Sequence, residues 1–515
     1  MSTRAHITAL TVLLMFCATA AWALVTPAEL DRCVEAHLSQ SKLALPPACE
    51  DAVFLRRVSL DLTGRIPAPD AARAFLDNPR SDKRRILIDT LLASPDYADY
   101  QTLHWLDLLR VKSEFPANLW PNAVQVYSRW IRSNVATNQP YDAFARDLLT
   151  ANGSNFRDPA VNFFRALPHK DATNIAAFVA QSLMGTRFGT LPQNEQADLA
   201  HFFCAVGYKA TTEWKEEIVF FNPAQLDARP FALRFSDGRT ATCAPNTDPR
   251  LLFAAWLTAP GNPFFARCAV NRIWFYLMGR GIVHEADDLR ADNPPANPAL
   301  LTLLEKALVE NRFDLRALYR LILNSQTYQA QASAPPETLM RRTGYAFYQI
   351  RQLDAEVLLD IICQITGTTE SYSSQIPEPY TNFTESRSIC IGDGSVTSPF
   401  LEMFGRPPRD TGLLSERANW PSTSQRLHLL NASHIQNKLL QVPAFRPFKK
   451  KHEKRDPQQS RPLDELYLLA LSRYPTTDER LVAHTYMQTS GGPSVTVLQD
   501  LLWALINTKE FCVRR

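Results

Sequence analysis

Along most of this chain, apolar residues recur at helical spacing. Many of the apolar stretches open on a small polar residue or a proline. Ser81-Asp-Lys-Arg-Arg-Ile-Leu-Ile-Asp-Thr-Leu-Leu sets its aliphatic residues at helical spacing behind a serine suited to capping the first turn. Ser94-Pro95-Asp96 opens a second helix, PDYADYQTLHWLDLLRVK, with proline at the position where its missing N–H costs nothing. The same punctuation recurs at Gln139-Pro140, Asn262-Pro263 and Asn297-Pro298, while Gly153 and Gly279 stand where left-handed caps stop helices. Between about 215 and 245 the period changes. EEIVFF and RPFALRFSDGRTATC read as strands, with Asp237-Gly238 as a hairpin turn. The spacing predicts a mainly α protein. It comprises an N-terminal helical domain over 26–205, a small β-rich connector over 206–247 and a C-terminal helical domain over 248–515. No short-period repeat suggests a solenoid.

The first residues carry a different pattern. Arg4 and His6 precede an apolar run from Ile7 to Ala20, followed by Ala21-Trp22-Ala23. A basic start, a short apolar run and an A-x-A end describe a secretory signal peptide over 1–23, cleaved after Ala23. The run is shorter than the ~20 residues of a spanning helix, and Phe16 before Cys17 does not suit a lipoprotein signal. The expected location is therefore periplasmic or secreted, with no integral membrane segment after cleavage. Apolar residues make up 45% of the 515 and charged residues 21%, which fits folded domains and argues against disorder. A net charge of +3 is too close to neutral for nucleic acid as the main partner. Two segments read as loops: TGTTESYSSQIPEPYTNFTESRS (366–388) and the basic stretch beginning at 448.

Eight cysteines follow the leader, and an even count in an oxidising compartment permits disulfides. Cys33 and Cys49 bracket a short helix and the Pro46-Pro47 turn, and make the best local pair. No C-x-x-C occurs anywhere, so the chain cannot carry covalently attached c-type haem, and the tetrathiolate zinc patterns are missing too. Neither a phosphate-binding glycine loop, nor H-E-x-x-H, nor G-x-S-x-G is present. Cys243-Ala-Pro-Asn-Thr247 approaches the sulfatase signature C-x-P-x-R but has threonine in place of the required arginine. His201 and Cys204 share a helical face, though HFFC reads better as core than as half a metal site. A site assembled with His169 or His104 would need its ligand atoms about 2.0–2.3 Å from a shared centre. No metal and no cofactor is expected.

The densest polar constellation lies in the second half. Asn271 and Arg272 sit on a helix otherwise full of aromatics. Asp287, Asp288, Arg290 and Asn293 follow, and FGRPPRDT places Arg406 and Arg409 in a proline-stiffened loop. Glu416, Arg417 and Asn431 complete the set. Alternating arginines and carboxylates either grip a polar substrate or form a buried ion-pair network that fixes loops.

At these segments the chain resembles a known family. FLRRVSLDLTGRIP (54–67), DKRRILIDTLLASPDYADY (82–100) and HWLDLLR (104–110) are similar to the planctomycete cytochrome-C-associated domain, the domain of unknown function fifteen-forty-nine. LLFAAWLTAPGNPFFARCAVNRIWFYLMGRGIV (251–283), NPPANPALL (293–301), FDLRALYRLILNSQTYQ (313–329), FGRPPRDT, LHLLN (427–431) and LLWALINTKEF (501–511) resemble its usual partner, fifteen-fifty-three. The resemblance implies export and a two-domain tandem of undefined molecular activity. It also implies a cysteine- and histidine-rich segment after AAFVAQSLMG (176–185), where this chain has Arg187-Phe188-Gly189-Thr190-Leu191. Cysteines implied just before Glu416-Arg417 are replaced within TGLLSER (411–417). The expected function is a non-catalytic binding or scaffold protein for a periplasmic or surface protein or a glycan. The alternative is a hydrolase or lyase acting on extracellular polysaccharide, for which Asp287, Asp288, Arg290, Arg406, Arg409 and Glu416 would converge in one cleft. Electron transfer, which the cytochrome association invites, would need a cofactor for which the sequence shows no ligands at short spacing.

Overall fold

The computed structural model describes residues 24–332, 347–376, 387–445, 462–492 and 494–515. The expected signal peptide, the basic stretch from 448 and most of the second half of the 366–388 loop lie outside the described residues. The architecture is mainly α, with three small sheets. Among the described residues no helix is long and apolar enough to cross a membrane.

The first half runs through helices α1 (Pro27–Gln40), α2 (Asp51–Thr63), α3 (Pro69–Leu76), α4 (Lys83–Leu92), α5 (Pro95–Leu108), α6 (Pro121–Ala136), α7 (Tyr141–Leu149), α8 (Ala172–Val179) and α9 (Gln193–His201). Local chemistry sets several of their starts. Ser94 Oγ accepts from Tyr97 N at 3.2 Å to open α5. At α1, Thr26 and Glu29 form a reciprocal capping box. Two expected stops fall elsewhere. α5 ends at Leu108 rather than reaching Lys112, because Arg110 turns into the left-handed region (φ 53). Gly153 does not cap α7, which ends at Leu149; it enters strand β1 (Gly153–Ser154) instead.

β1 pairs with β3 (Glu217–Phe221), and β3 pairs with β2 (Val206–Ala210), all antiparallel. β4 (Phe231–Arg234) and β5 (Thr240–Cys243) form the expected hairpin around Asp237-Gly238, with Gly238 at φ 85. This hairpin bridges helices on both sides of it. Phe235 stacks on Phe202 after α9 and on Trp256 of α10 (Pro249–Leu257).

α11 (Phe265–Met278) stops at Gly279 in the left-handed conformation. α12 (Pro298–Glu310), α13 (Leu315–Leu323) and α14 (Gln326–Gln329) follow, with Asn297 capping α12. Buried residues from Leu30 to Tyr348, together with Leu468, make one continuous core that includes both sides of 206–247. A second core gathers Leu353 to Phe511, largely around α15 (Ala355–Thr366), and takes in Leu60, Ile66, Tyr100 and Leu103 from α2 and α5 and their surroundings. α5 therefore lies between the two. The C-terminus closes the structure: Val513–Arg514 pairs antiparallel with Arg351–Gln352 and brings the Arg514 guanidinium inside.

The expected disulfide does not form. Cys33 and Cys49 are both free thiols. Cys33 is half-buried against the first core, and Cys49 is held by other partners. Its N–H donates to Gln329 O at 2.8 Å, and its carbonyl accepts from Arg84 Nη2 at 2.6 Å. The backbone at Cys49 is thus positioned by residues far away in sequence, not by its near neighbour on α1.

Candidate ligand pocket and its ion-pair backing

A pocket with about 800 Å³ of unfilled space, open solvent included, lies between α5, α6, the start of α7, α11 and the start of α13. Aromatic rings make most of its wall: Tyr97, Trp105, Tyr141, Phe144, Tyr276 and Tyr319. Each comes from a helix position that packs on a neighbour, so the wall is rigid. Tyr141 stacks on Phe265 at 4.4 Å, and Trp105 meets Tyr141 at 5.5 Å. His104 stacks flat on Tyr276, with centroids 4.0 Å apart, and meets the edge of Tyr100 at 4.9 Å.

The polar groups of the pocket are few and uncharged in effect. Burial drives the His104 imidazole down to about 4, so it is neutral at pH 7. The buried Tyr141 hydroxyl has no partner among the described residues. Gln101 accepts from Tyr319 Oη at 2.7 Å. At the rim, Asn134 Nδ2 donates to Trp130 O and Asn138 Nδ2 to Asp314, which leaves both amide oxygens facing no described donor. No carboxylate is among the residues that line the pocket.

Arg272 is the one cation at the wall, and it is already neutralised. Its guanidinium lies 3.0 Å from Asp287 Oδ1 and donates to the carbonyls of Ser182 and Gln181. Asp287 Oδ2 in turn accepts from Leu414 N at 2.8 Å, which ties the 411–417 segment to α11.

Behind the pocket lies a closed charge network. Arg409, fully buried, donates to Asp107 Oδ1 at 2.8 Å and to Gly392 O at 2.7 Å. Arg417 spans Asp107 at 2.7 Å and Glu356 at 2.6 Å. Arg406 reaches Glu356 at 3.4 Å and donates to Val396 O. Asp354, at the start of α15, receives Arg514 at 2.5 Å and the Tyr100 hydroxyl at 3.0 Å, while Arg514 also reaches Asp61 at 3.3 Å. Burial opposes the charge on Asp107, yet the Arg417 and Arg409 guanidiniums hold it below the usual carboxylate range. Burial likewise opposes the charge on Asp354, and Arg514 and Arg417 override it in the same direction.

The predicted constellation therefore divides. Arg406, Arg409 and Arg417 join the network. Arg272 and Asp287 form the pair at the pocket wall. Glu416 clasps its own loop, accepting from the N–H groups of Asp410 at 2.7 Å and Gly412 at 3.1 Å. Asn271 is buried and holds the following turn through Val283 and Ala286. Asp288 pairs with Arg290 at 2.9 Å, and Asn293 donates back to Asp288 O. Asn431 is exposed at the end of the helix Thr423–Asn431. The four residues of the conceivable assembled metal site sit in different surroundings. His201 stacks on Phe231, Cys204 is half-buried, His169 is exposed and His104 lines the pocket. Among the described residues no group of three or more His, Cys, Asp or Glu is placed to hold a metal.

With this geometry in hand, the comparisons are brief. Residues 29–189 match the family described as PSCyt2, Protein of unknown function (DUF1549), and residues 249–487 match PSD1, Protein of unknown function (DUF1553). The chain belongs to this tandem family. The pocket is built from both halves of the tandem, since α5 and α6 lie in the first matched segment and α11 and α13 in the second. No curated protein and no solved structure matches.

Asp107, Asp354 and Glu356 were missed by the sequence reading, and one signal was available. Each is a carboxylate inside an apolar helical run, HWLDLLR or LDAEVLL, where a charge has to find a partner.

Proposed function

We propose that this is an exported, non-catalytic binding protein whose pocket between α5, α6, α7, α11 and α13 takes an uncharged ring-bearing ligand such as a neutral sugar. The observation that carries this reading is the character of the wall. Flat aromatic faces, a neutral imidazole and amide oxygens suit a ligand that has an apolar face and hydrogen-bond donors at its edge. Glycoside hydrolysis needs two carboxylates about 5–10 Å apart across the scissile bond, and none lines this pocket. Of the arginines and acids expected of a polysaccharide cleft, Asp287, Asp288, Arg290, Arg406 and Arg409 already have ion-pair partners and Glu416 clasps its own loop, which supports a structural role for them.

The test uses the purified mature chain, with an N-terminus expected at Leu24. Titration with neutral oligosaccharides, followed by the fluorescence of Trp105, should saturate, and Tyr276→Ala should abolish the response. The same preparation should show no haem absorbance and less than one transition metal per chain. Turnover of any polysaccharide, or a tightly held stoichiometric metal, would overturn the reading.

A further inference from the structure

Two loops on another face of the protein present an aromatic surface that nothing in the pocket explains. Trp214 is 68% exposed and Phe115 is 72% exposed, while Trp120 is half-buried. Trp214 meets Trp120 edge-to-face, with centroids 6.5 Å apart. Lys215 Nζ lies 5.1 Å from the Trp120 ring centre and 5.2 Å from that of Trp214.

The arrangement is held in place rather than swept by a loose side chain. Trp120 (φ 72) and Lys215 (φ 63) both adopt left-handed backbone conformations, and Asn155 Nδ2 donates to Lys215 O at 3.1 Å. The 211–217 turn is anchored beneath it. Glu216 accepts from Ser154 and Thr211, and Glu217 pairs with Arg165 and Lys170. Trp120 opens α6, whereas the pocket takes Asn134 from the far end of the same helix, about 20 Å away at 1.5 Å per residue, and Asn138 from just beyond it.

The chemistry of this surface is specific. An exposed indole face favours a flat ring that carries C–H groups or π electrons. The ammonium over the two indoles makes no ion pair among the described residues, although two of the acids in its own turn already have partners. Glu213 is exposed beside Trp214. A ligand that stacks on Trp214 and brings an anion to Lys215 satisfies both features at once. Bases of a single strand with their phosphates are one such ligand. A strand, however, needs a groove of cations along its backbone, and the chain carries only +3 overall. A saccharide ring bearing its own carboxylate or sulfate needs only one.

We infer that Trp214, Trp120 and Lys215 form a docking platform for an anionic polysaccharide, separate from the pocket and not dependent on the ligand proposed for it.

Affinity electrophoresis and fluorescence titration of the full chain test this with four probes: polygalacturonate, dextran sulfate, uncharged dextran and a dT oligonucleotide. Retardation by one or both anionic polysaccharides, with none by dextran, is expected, and the pair separates carboxylate from sulfate recognition. Trp214→Ala should weaken binding about tenfold. Lys215→Asn, which keeps a residue tolerant of the left-handed conformation, should weaken it and flatten its dependence on salt. Both positions are exposed, so unchanged circular dichroism and melting would show that the fold is intact. Tyr276→Ala, in the pocket, should leave this binding unaltered, which separates failure of the platform from failure of the pocket. Equal binding by wild type and Trp214→Ala, equal retardation by uncharged dextran, or preference for the oligonucleotide would each overturn the assignment.

Discussion

Arg409 offers the sharpest test of whether the buried charges act as one unit. Its side chain is fully buried and its Nε donates to Asp107 Oδ1 at 2.8 Å, while Nη1 donates to Gly392 O at 2.7 Å and Val111 O at 3.2 Å. Arg409→Ala strips Asp107 of one of its two guanidiniums and leaves the Gly392 carbonyl without its donor, while Val111 O keeps Gly394 N at 2.9 Å. The other guanidinium, Arg417, already divides its charge between Asp107 and Glu356. Removing one partner of a buried pair costs about 3–5 kcal/mol, most of it from the charge left behind. For a chain of 515 residues the unfolding entropy is about 1 kcal/mol/K, so the melting temperature should fall by about 3–5 °C.

Two companion variants separate charge from shape. Arg409 sits at φ 61, where a Cβ costs of order 1 kcal/mol. Arg409→Gly should therefore lose about 1 kcal/mol less than Arg409→Ala. Asp107→Asn removes the charge that Arg409→Ala leaves uncompensated, so the double variant should be more stable than the sum of the two losses predicts, by about 1.5 kcal/mol or more. Urea unfolding of the four proteins, followed by both circular dichroism and tryptophan fluorescence, supplies the cycle. A loss below about 1 kcal/mol for Arg409→Ala, or a coupling below about 0.5 kcal/mol, would refute the claim that these residues stabilise one another across the two halves.

The His104 imidazole supplies a pH signature. Its folded value, about 4, lies below the ordinary 6.5, so the unfolded chain takes up a proton first as the pH falls. The stability that the neutral ring contributes is complete above about pH 6.5 and is lost as the pH drops towards 4, roughly 2 kcal/mol of it by pH 4.5. Comparing urea midpoints of wild type and His104→Phe at pH 7 and pH 4.5 isolates this limb, and parallel pH profiles for the two would refute it. The thiols give a simpler count. Eight free cysteines predict eight titratable thiols in the denatured mature chain and a melting temperature indifferent to reductant; six thiols would restore a disulfide.

What could be read from the sequence was mostly local. Ser94-Pro95 and Asn297-Pro298 start helices through contacts within four residues, so their signal is complete in a short window. Asp237-Gly238 turns a hairpin for the same reason. The arginines of the constellation were also visible, because a charge in a proline-stiffened loop stands out. Their partners were not, since Arg409 finds Asp107 across 302 positions and Arg417 finds Glu356 across 61. Proximity in sequence misled at Cys49, which is held by Gln329 rather than by Cys33. The pocket was invisible for a further reason. Tyr97, Tyr141 and Tyr276 each read as core aromatics, and only the junction of five helices leaves a gap between them.

That junction also bears on how this chain departs from the resemblance. The resemblance implies cysteines in two segments, one at 187–191 and one just before Glu416-Arg417, which lie far apart in sequence. In the fold the two neighbourhoods adjoin. Gln181, one turn before Gly185, donates from Nε2 to Thr411 O at 2.7 Å and accepts from Arg110 Nη2 at 3.0 Å. Asp287 holds Leu414 N while its partner Arg272 holds the carbonyls of Gln181 and Ser182. Leu289 N donates to Gly185 O at 2.8 Å and completes the seam. An amide, a buried ion pair and backbone bonds therefore join residues 181–185, just before the first segment, to 411–414 in the second and to the 287–289 turn. Arg272 and Gln181 thus make residues 181–185 and 411–414 one connected neighbourhood in this fold.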